Sequence, residues 1–435
     1  VAITFLTGDC RDILPTLADA SVQCVVTSPP YFGLRDYGTG TWEGGDAACD
    51  HIKTVYKRQA YGGSDGASGK NCQSWRGGER NQSEPYGDTC GKCGAVRVDR
   101  QIGLEPTPDA FVATLVAVFR EVRRVMRPDA TLWCNLGDGF RDKQLLGMPW
   151  RVALALQADG WFLRSSIIWA KPNPMPESCR DRPTSAHEHV FLLTKRSRYF
   201  FDADAVREDA EYGRRDTAGA WRGGAYVNQR PGQDNSVGTG LANSVTGRHP
   251  ETGRACRNVW TIATEAFPAA HFATYPTALA ERCIRAGTSE KGCCSKCAAP
   301  WVRITEMNPE YEALAATNRG WSHAADGMVA RQRSDHPSQL PWKQKTTGWA
   351  ASCKCQGADV VPCCVLDPFS GAGTTALVAD RLQRNAIAID LSHEYRDMAA
   401  ARYQADAGMF ADTGTATLDE SYDRPMRDLF AYAAD

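Results

Sequence analysis

The chain has 435 residues, 43% of them hydrophobic, and its 50 Lys and Arg against 51 Asp and Glu leave a formal net charge of -1. That size and apolar share suit one large domain or two smaller ones with a real core. The balanced charge excludes a protein-wide positive field, and the absence of a long apolar run or a signal-type start points to a soluble, cytoplasmic chain with no membrane partner.

The first residues read as strand, helix, strand: Ile3 to Leu6, a helical turn from Asp12 to Leu17, and Val22 to Val26. The second strand breaks at once into Ser28-Pro29-Pro30-Tyr31. Two prolines remove two donors and fix φ, so a stiff turn must follow the strand. Residues 38–102 have no apolar period and are rich in Gly, Ser, Asn and charge, which marks an insertion. Order returns at Thr107-Pro108-Asp109, a helix start with a capping hydroxyl and a proline in the first turn. Phe111, Leu115, Val118, Phe119, Val122 and Met126 then share one helical face.

Arg127-Pro128-Asp129 ends that helix, and Thr131 to Leu136 follows as a strand. A helix is expected at 148–158, with strands at Ser165 to Lys171 and His189 to Lys195. Residues 207–255 are rich in Gly, Arg and Asn without a period: a loop, a recognition segment or disorder. Val365 to Asp390 closes the series as strand, glycine turn, helix and strand. Such alternation implies an α/β fold with an open, mostly parallel sheet wrapped by helices.

In the glycine turn, Gly371 and Gly373 let backbone approach a ligand, and the next helix offers its free N–H groups. Asp390, at the end of the following strand, is placed to accept ribose hydroxyls. A phosphate loop is excluded because the turn has no lysine. A dinucleotide fingerprint fits Gly371-x-Gly373-x-x-Ala376, but little chain follows it for the rest of such a domain. A purely structural turn and a nucleoside cofactor without pyrophosphate, S-adenosylmethionine (SAM), remain. For SAM, Asp367 would meet the ligand ammonium and Phe369 would pack on the bound cofactor.

Asp367-Pro368-Phe369-Ser370-Gly371-x-Gly373-Thr374-Thr375, taken with Thr27-Ser28-Pro29-Pro30-Tyr31, closely resembles the SAM-dependent amino-methyltransferases of DNA. The Ser-Pro-Pro-Tyr segment comes first, as in the permuted, beta-type order. The segment "AHFATYPTALAERCI" (270–284) resembles the family's cofactor-side stretch ahead of the glycine turn. The resemblance implies a seven-stranded, Rossmann-like sheet with a terminal antiparallel hairpin, here the strands near 165–171 and 189–195. It implies a cofactor site of Asp9, His271, Thr274, Asp367, Phe369, Gly371, Gly373, Thr374 and Asp390. Ser28, Pro29, Pro30 and Tyr31 would then form the catalytic ledge. The Ser28 hydroxyl and Pro29 carbonyl accept hydrogens from the exocyclic amine of a flipped base, and Tyr31 faces its ring.

Serine in the first position resembles the N4-cytosine enzymes, with N6-adenine as the alternative. C5-cytosine chemistry needs a cysteine nucleophile, but Pro362-Cys363 leads straight into the strand before the glycine turn, so Cys363 and Cys364 read as core. Lys171, Arg180 and Arg182, on a proline-rich loop, are expected to meet phosphates of double-stranded DNA. The resemblance implies a bacterial or phage enzyme; a cognate restriction enzyme and a homodimer stay open. A DNA-binding protein with an inactive core and an RNA or protein acceptor are rival readings, and neither has support from a damaged motif.

Seventeen cysteines are many for such a chain, and several come in tight pairs. Cys49-x-His51 with Cys90-x-x-Cys93, and Cys294-x-x-Cys297 with Cys353-x-Cys355, each supply four ligands for one tetrahedral zinc. Cys72 and Cys293 are spare thiols near them. Four protein ligands leave no open position, so structural zinc, about two ions per chain, is expected. These features divide the chain. Residues 1–37 and 103–206 form a catalytic half, 256–290 and 363–405 a SAM half, and 38–102 and 291–362 two zinc insertions. Residues 207–255 are a loop and 406–435 a tail.

Overall fold

Strands β1 (Ile3–Thr7) and β2 (Val22–Thr27) are buried along their full length, as in a sheet covered on both faces. In the computed structural model they belong to a nine-stranded sheet with β3 (Met126–Leu136), β4 (Phe162–Ala170), β5 (His187–Thr194), β6 (Val259–Thr261), β7 (Cys364–Asp367), β8 (Asn385–Asp390) and β9 (Thr413–Thr417). The residues described are 1–33, 40–51, 53–55, 86–208, 255–265, 274–309, 344–408 and 413–417. The order is β6-β4-β5-β3-β2-β7-β8-β1-β9, and only β5 runs antiparallel to its neighbours.

Nine strands rather than seven is a correction with a physical reason. The β4–β5 hairpin is present, but it does not end the sheet. Three residues, Val259–Thr261, pair in parallel with the free edge of β4 and bury Trp260, which covers unpaired N–H and C=O groups. Likewise, part of the expected tail, Thr413–Thr417, pairs along β1.

Helix α1 (Cys10–Ile13) follows β1, α2 (Pro108–Val125) precedes β3, and α3 (Met148–Ala158) lies between β3 and β4. Thr107 caps α2, accepting the Ala110 N–H at 3.1 Å. The apolar face of α2 (Phe111, Leu115, Val118, Phe119 and Val122) joins Leu6, Val25, Leu132 and Leu366 in one core. Because strand side chains alternate, Trp133 and Asn135 leave β3 on the face opposite Leu132 and Cys134. The expected strand start at Thr131 marks where regular pairing begins: Val22 pairs with Met126, then Cys24 with Thr131, so residues around Pro128 bulge out of the ladder. Helices α4 (Thr277–Gly287), α5 (Thr374–Arg381) and α6 (His393–Ala407) complete the series.

By contact the chain divides into Val1–Asp202, Asn258–Pro300 and Cys353–Asp435 as one unit, and Ala203–Arg257 with Trp301–Ser352 as another. Within the first, the described residues of the insertion after Tyr31 include a small antiparallel sheet in the order Thr41–Glu43, Val96–Val98, Tyr86–Cys90 and Lys53–Val55. The second contains the antiparallel pair Trp301–Met307 and Gln344–Ala351; most of the loop expected at 207–255 lies outside the described residues. Among the described residues no helix is long and apolar enough to cross a membrane.

Candidate active site

β2 and β7 are parallel neighbours, so the Ser-Pro-Pro-Tyr ledge and the glycine turn leave the sheet side by side at its carboxyl edge, where open α/β sheets place ligands. One residue joins them. Asp367 is 1% exposed, and its carboxylate accepts from Thr27 Oγ1 (2.7 Å), the Phe369 N–H (3.1 Å), Tyr275 Oη (2.9 Å) and Thr375 Oγ1 (2.8 Å). Burial pushes its pKa up, against the pull of these donors. Expected from the sequence to meet a ligand ammonium, Asp367 has both oxygens on internal donors and braces ledge and turn together.

The turn itself is open where a ligand would come. Gly371 has φ +50° and a side chain added there would meet none of the described residues within 4 Å, whereas one at Gly373 (φ +71°) would lie 2.7 Å from Ala399 Cβ. Asp390 accepts the Gly371 N–H at 2.8 Å and the Ser392 N–H at 2.9 Å. Burial lifts its carboxyl to about 6. Thr374, buried, accepts from Arg402 at 2.9 Å, and Phe369 is half-buried against the core. The cradle at Gly371 and the Asp390 oxygens fit a nucleoside cofactor. Asp9 caps α1 and is gripped by Arg11 (2.6 Å) and Arg100 (3.0 Å); burial raises its pKa, but the Arg11 bonds outweigh this and hold it low. Thr274 is half-buried just before Tyr275, and His271 lies outside the described residues.

On the ledge, Tyr31 Oη donates to Glu188 Oε2 at 2.7 Å, and Asn135 Nδ2 donates to the same carboxylate oxygen at 2.8 Å. Asn135 Nδ2 also reaches Tyr31 Oη at 3.0 Å and Ser28 Oγ at 3.4 Å. Lys171 pairs with the other Glu188 oxygen. Burial, then the Glu188 charge, holds the Tyr31 phenol well above its usual pKa. The ring lies so close to Gly137 that a side chain there would sit 2.5 Å from Tyr31 Cε2. Asn135 is 3% exposed, and among the described residues its Oδ1 has no hydrogen-bond partner. Pro29 is buried and Pro30 half-buried, which fixes the ledge.

Asn135, Glu188 and Tyr275 escaped the sequence reading. Each comes from a separate element: the end of β3, the start of β5 and the approach to α4. Lys171, expected at a phosphate, pairs with Glu188 and lies 4.5 Å from the centre of the Trp169 ring. Arg182 is paired with Glu177 at 2.6 Å and covers Phe140, while Arg180 is exposed. Cys363 and Cys364 are both 1% exposed, consistent with core positions.

The two cysteine groups do assemble. The ligand atoms of Cys49, His51, Cys90 and Cys93 lie within 4.8 Å of one another, as do those of Cys294, Cys297, Cys353 and Cys355. Cys49 Sγ and Cys90 Sγ are 3.9 Å apart, and Cys93 Sγ is 3.4 Å from His51 Nδ1. Zinc–sulfur bonds of about 2.3 Å at tetrahedral angles give sulfur edges of about 3.8 Å, so the donor set fits the ion. Both knuckles fold alike. The Cys90 N–H donates to the Ala95 carbonyl and the Gly94 N–H back to Cys90; the Cys294 N–H donates to Ala299 and the Ala298 N–H back to Cys294. N–H groups of Cys93 and Lys92 hold the Cys90 thiol at about 6.

A profile of the DNA methylase family, the N6/N4 type, matches residues 22–294 and 363–401, which include both the ledge and the glycine turn. The type II methyltransferase M.XycI of Xanthomonas campestris pv. cyanopsidis is 32% identical over 357 residues, covering 72% of this chain and 86% of its own. M.Cfr9I of Citrobacter freundii is 28% identical, covering 93% and 88%, and M.SmaI of Serratia marcescens 26%, covering 91% and 89%. The chain belongs to the permuted, beta-class family of SAM-dependent DNA methyltransferases, site-specific enzymes that methylate an exocyclic amine.

Proposed function

We propose that this enzyme methylates N4 of cytosine within a specific duplex sequence, on a base flipped out of the helix. The observation that carries the reading is Ser28, a neutral hydroxyl on a proline-fixed ledge beside the open glycine turn. The exocyclic amine is a poor nucleophile because its lone pair is delocalised into the ring. Acceptors at Ser28 Oγ and the Pro29 carbonyl draw on its hydrogens, favour a pyramidal nitrogen and aim the lone pair, and the rigid ledge holds them in place beforehand. Tyr31 lies against the base, which must leave the stack to be reached. Asp390 takes the ribose hydroxyls of SAM at the cradle above Gly371, with Phe369 and Thr374 beside it; when bound, SAM supplies an electrophilic methyl group.

Each cysteine group holds a structural zinc that fixes the stem of an insertion. A restriction enzyme of matching specificity is the partner we expect, as the relatives are type II methyltransferases. The function is tested with methyl-labelled SAM and mixed-sequence duplex DNA. Label should enter DNA with the wild type and not with Ser28→Ala, which should still bind SAM; full transfer by Ser28→Ala overturns the role of the ledge.

A further inference from the structure

The hydroxyl hydrogens at the ledge run in one direction. Ser28 Oγ donates to Tyr31 Oη at 3.4 Å, and Tyr31 Oη donates to Glu188 Oε2 at 2.7 Å. The first contact is long, as catalytic hydrogen bonds commonly are before substrate arrives. Asn135 Nδ2 faces all three oxygens, and the carboxylate among them sets which way that amide points. Lys171 occupies the other Glu188 oxygen, so the carboxylate, 15% exposed, is neutralised on one side and fed by donors on the other.

This direction matters for Ser28. A hydroxyl has one hydrogen and two lone pairs. With its hydrogen committed toward Tyr31, Ser28 can present only a lone pair to a group above the ledge. An amine with two hydrogens requires that polarity. If Tyr31 lacked its hydroxyl, or Glu188 its charge, the Ser28 hydrogen would be free to turn outward and meet the amine donor to donor.

We propose that Glu188 is a positioning residue that, through Tyr31, makes Ser28 a hydrogen-bond acceptor, and that it finally holds the proton lost by the amine. The inference rests on Ser28 as the amine's acceptor. As the nitrogen–carbon bond forms, the carbon–sulfur bond breaks and its electron pair stays on sulfur, leaving the nitrogen with one hydrogen too many. That proton passes to Ser28 Oγ while the Ser28 hydrogen passes to Tyr31 Oη and the Tyr31 hydrogen to Glu188. The product amine is neutral, both hydroxyls are restored, and Glu188 becomes a carboxylic acid beside Lys171. Tyr31 enters as a phenol, in keeping with its raised pKa.

The test compares Tyr31→Phe, which keeps the ring and removes the hydroxyl, with Glu188→Gln, which keeps the shape and removes the charge. Single-turnover methyl-transfer rates are measured with SAM affinity, DNA affinity and melting temperature. Each variant should slow transfer by about 10²-fold, a usual size for a positioned proton-transfer group, with both affinities unchanged. The double variant should be no slower than the slower single one, because the two act as one unit. Tyr31→Phe at the wild-type rate, or effects that multiply, overturns the proposal. If Glu188→Gln does not fold, Tyr31→Phe decides alone. Tyr31→Ala inactive with Tyr31→Phe fully active leaves the stacking role intact and removes the relay. Full activity of Ser28→Ala removes the underlying reading of the ledge.

Discussion

The Thr27 hydroxyl and the Asp367 carboxylate meet at 2.7 Å across 340 residues of chain. Thr27 is the last residue of β2 and precedes Ser28; Asp367 is the last of β7 and opens the glycine turn. Thr27→Val keeps the shape and removes one donor from a buried carboxylate, a loss worth about 1–3 kcal/mol. A lower urea midpoint together with weaker SAM binding is expected, since the bond ties the ledge to the turn. An unchanged midpoint would show that Asp367 does not depend on it.

Asp390 predicts a pH dependence of known sign. Its pKa is raised by burial from 3.8 to about 6. A raised carboxyl favours the folded state while protonated, so that contribution is complete below about 3.8 and is lost as pH rises through about 6. Cofactor binding is expected to run the opposite way, because in the proposed role it is the charged form that accepts ribose hydroxyls. SAM affinity should be flat above about pH 6 and fall by up to about tenfold per unit below it. Calorimetric titration of wild type and Asp390→Asn checks this: the variant should bind weakly and without that dependence.

The two glycines of the turn should separate stability from binding. At Gly373 a new methyl would press on Ala399 Cβ at 2.7 Å with φ +71°, a cost of about 2–4 kcal/mol. At Gly371 it would meet none of the described residues within 4 Å, and the backbone cost is about 1–2 kcal/mol. Gly373→Ala should therefore lower the melting temperature strongly. Gly371→Ala should chiefly weaken SAM binding by filling the cradle; SAM affinity equal to wild type would contradict it.

Metal analysis of protein purified without added zinc should give about two ions per chain, one for each four-ligand set. Cys93→Ala and Cys297→Ala should each lose one, and chelation should lower the melting temperature. Near-zero zinc in the wild type would end this account of the two knuckles.

Local signals made the scaffold legible. The apolar face from Phe111 to Val122, the Thr107 cap, and the strands before Ser28 and Gly371 all declare themselves within a few residues. The cysteine pairs were equally readable, since Cys-x-x-Cys spacing is a local matter. Glu188 and Asn135 were not: Glu188 sits between two histidines at the start of β5 and Asn135 near the end of β3, and only the sheet order β5-β3-β2 brings them to Tyr31. Val259–Thr261 is too short to show a period, and its pairing follows from the exposed edge of β4. The Lys171–Glu188 pair is equally hidden, because Glu188 lies on the next strand over.

The most direct test of the central claim is mass spectrometry of nucleosides from the DNA of a host expressing this chain, compared with the same host carrying Ser28→Ala. The account predicts N4-methylcytosine with the wild type and none with the variant. N6-methyladenine in its place would contradict the assignment of the target base, and no new methylated nucleoside would contradict the proposed reaction.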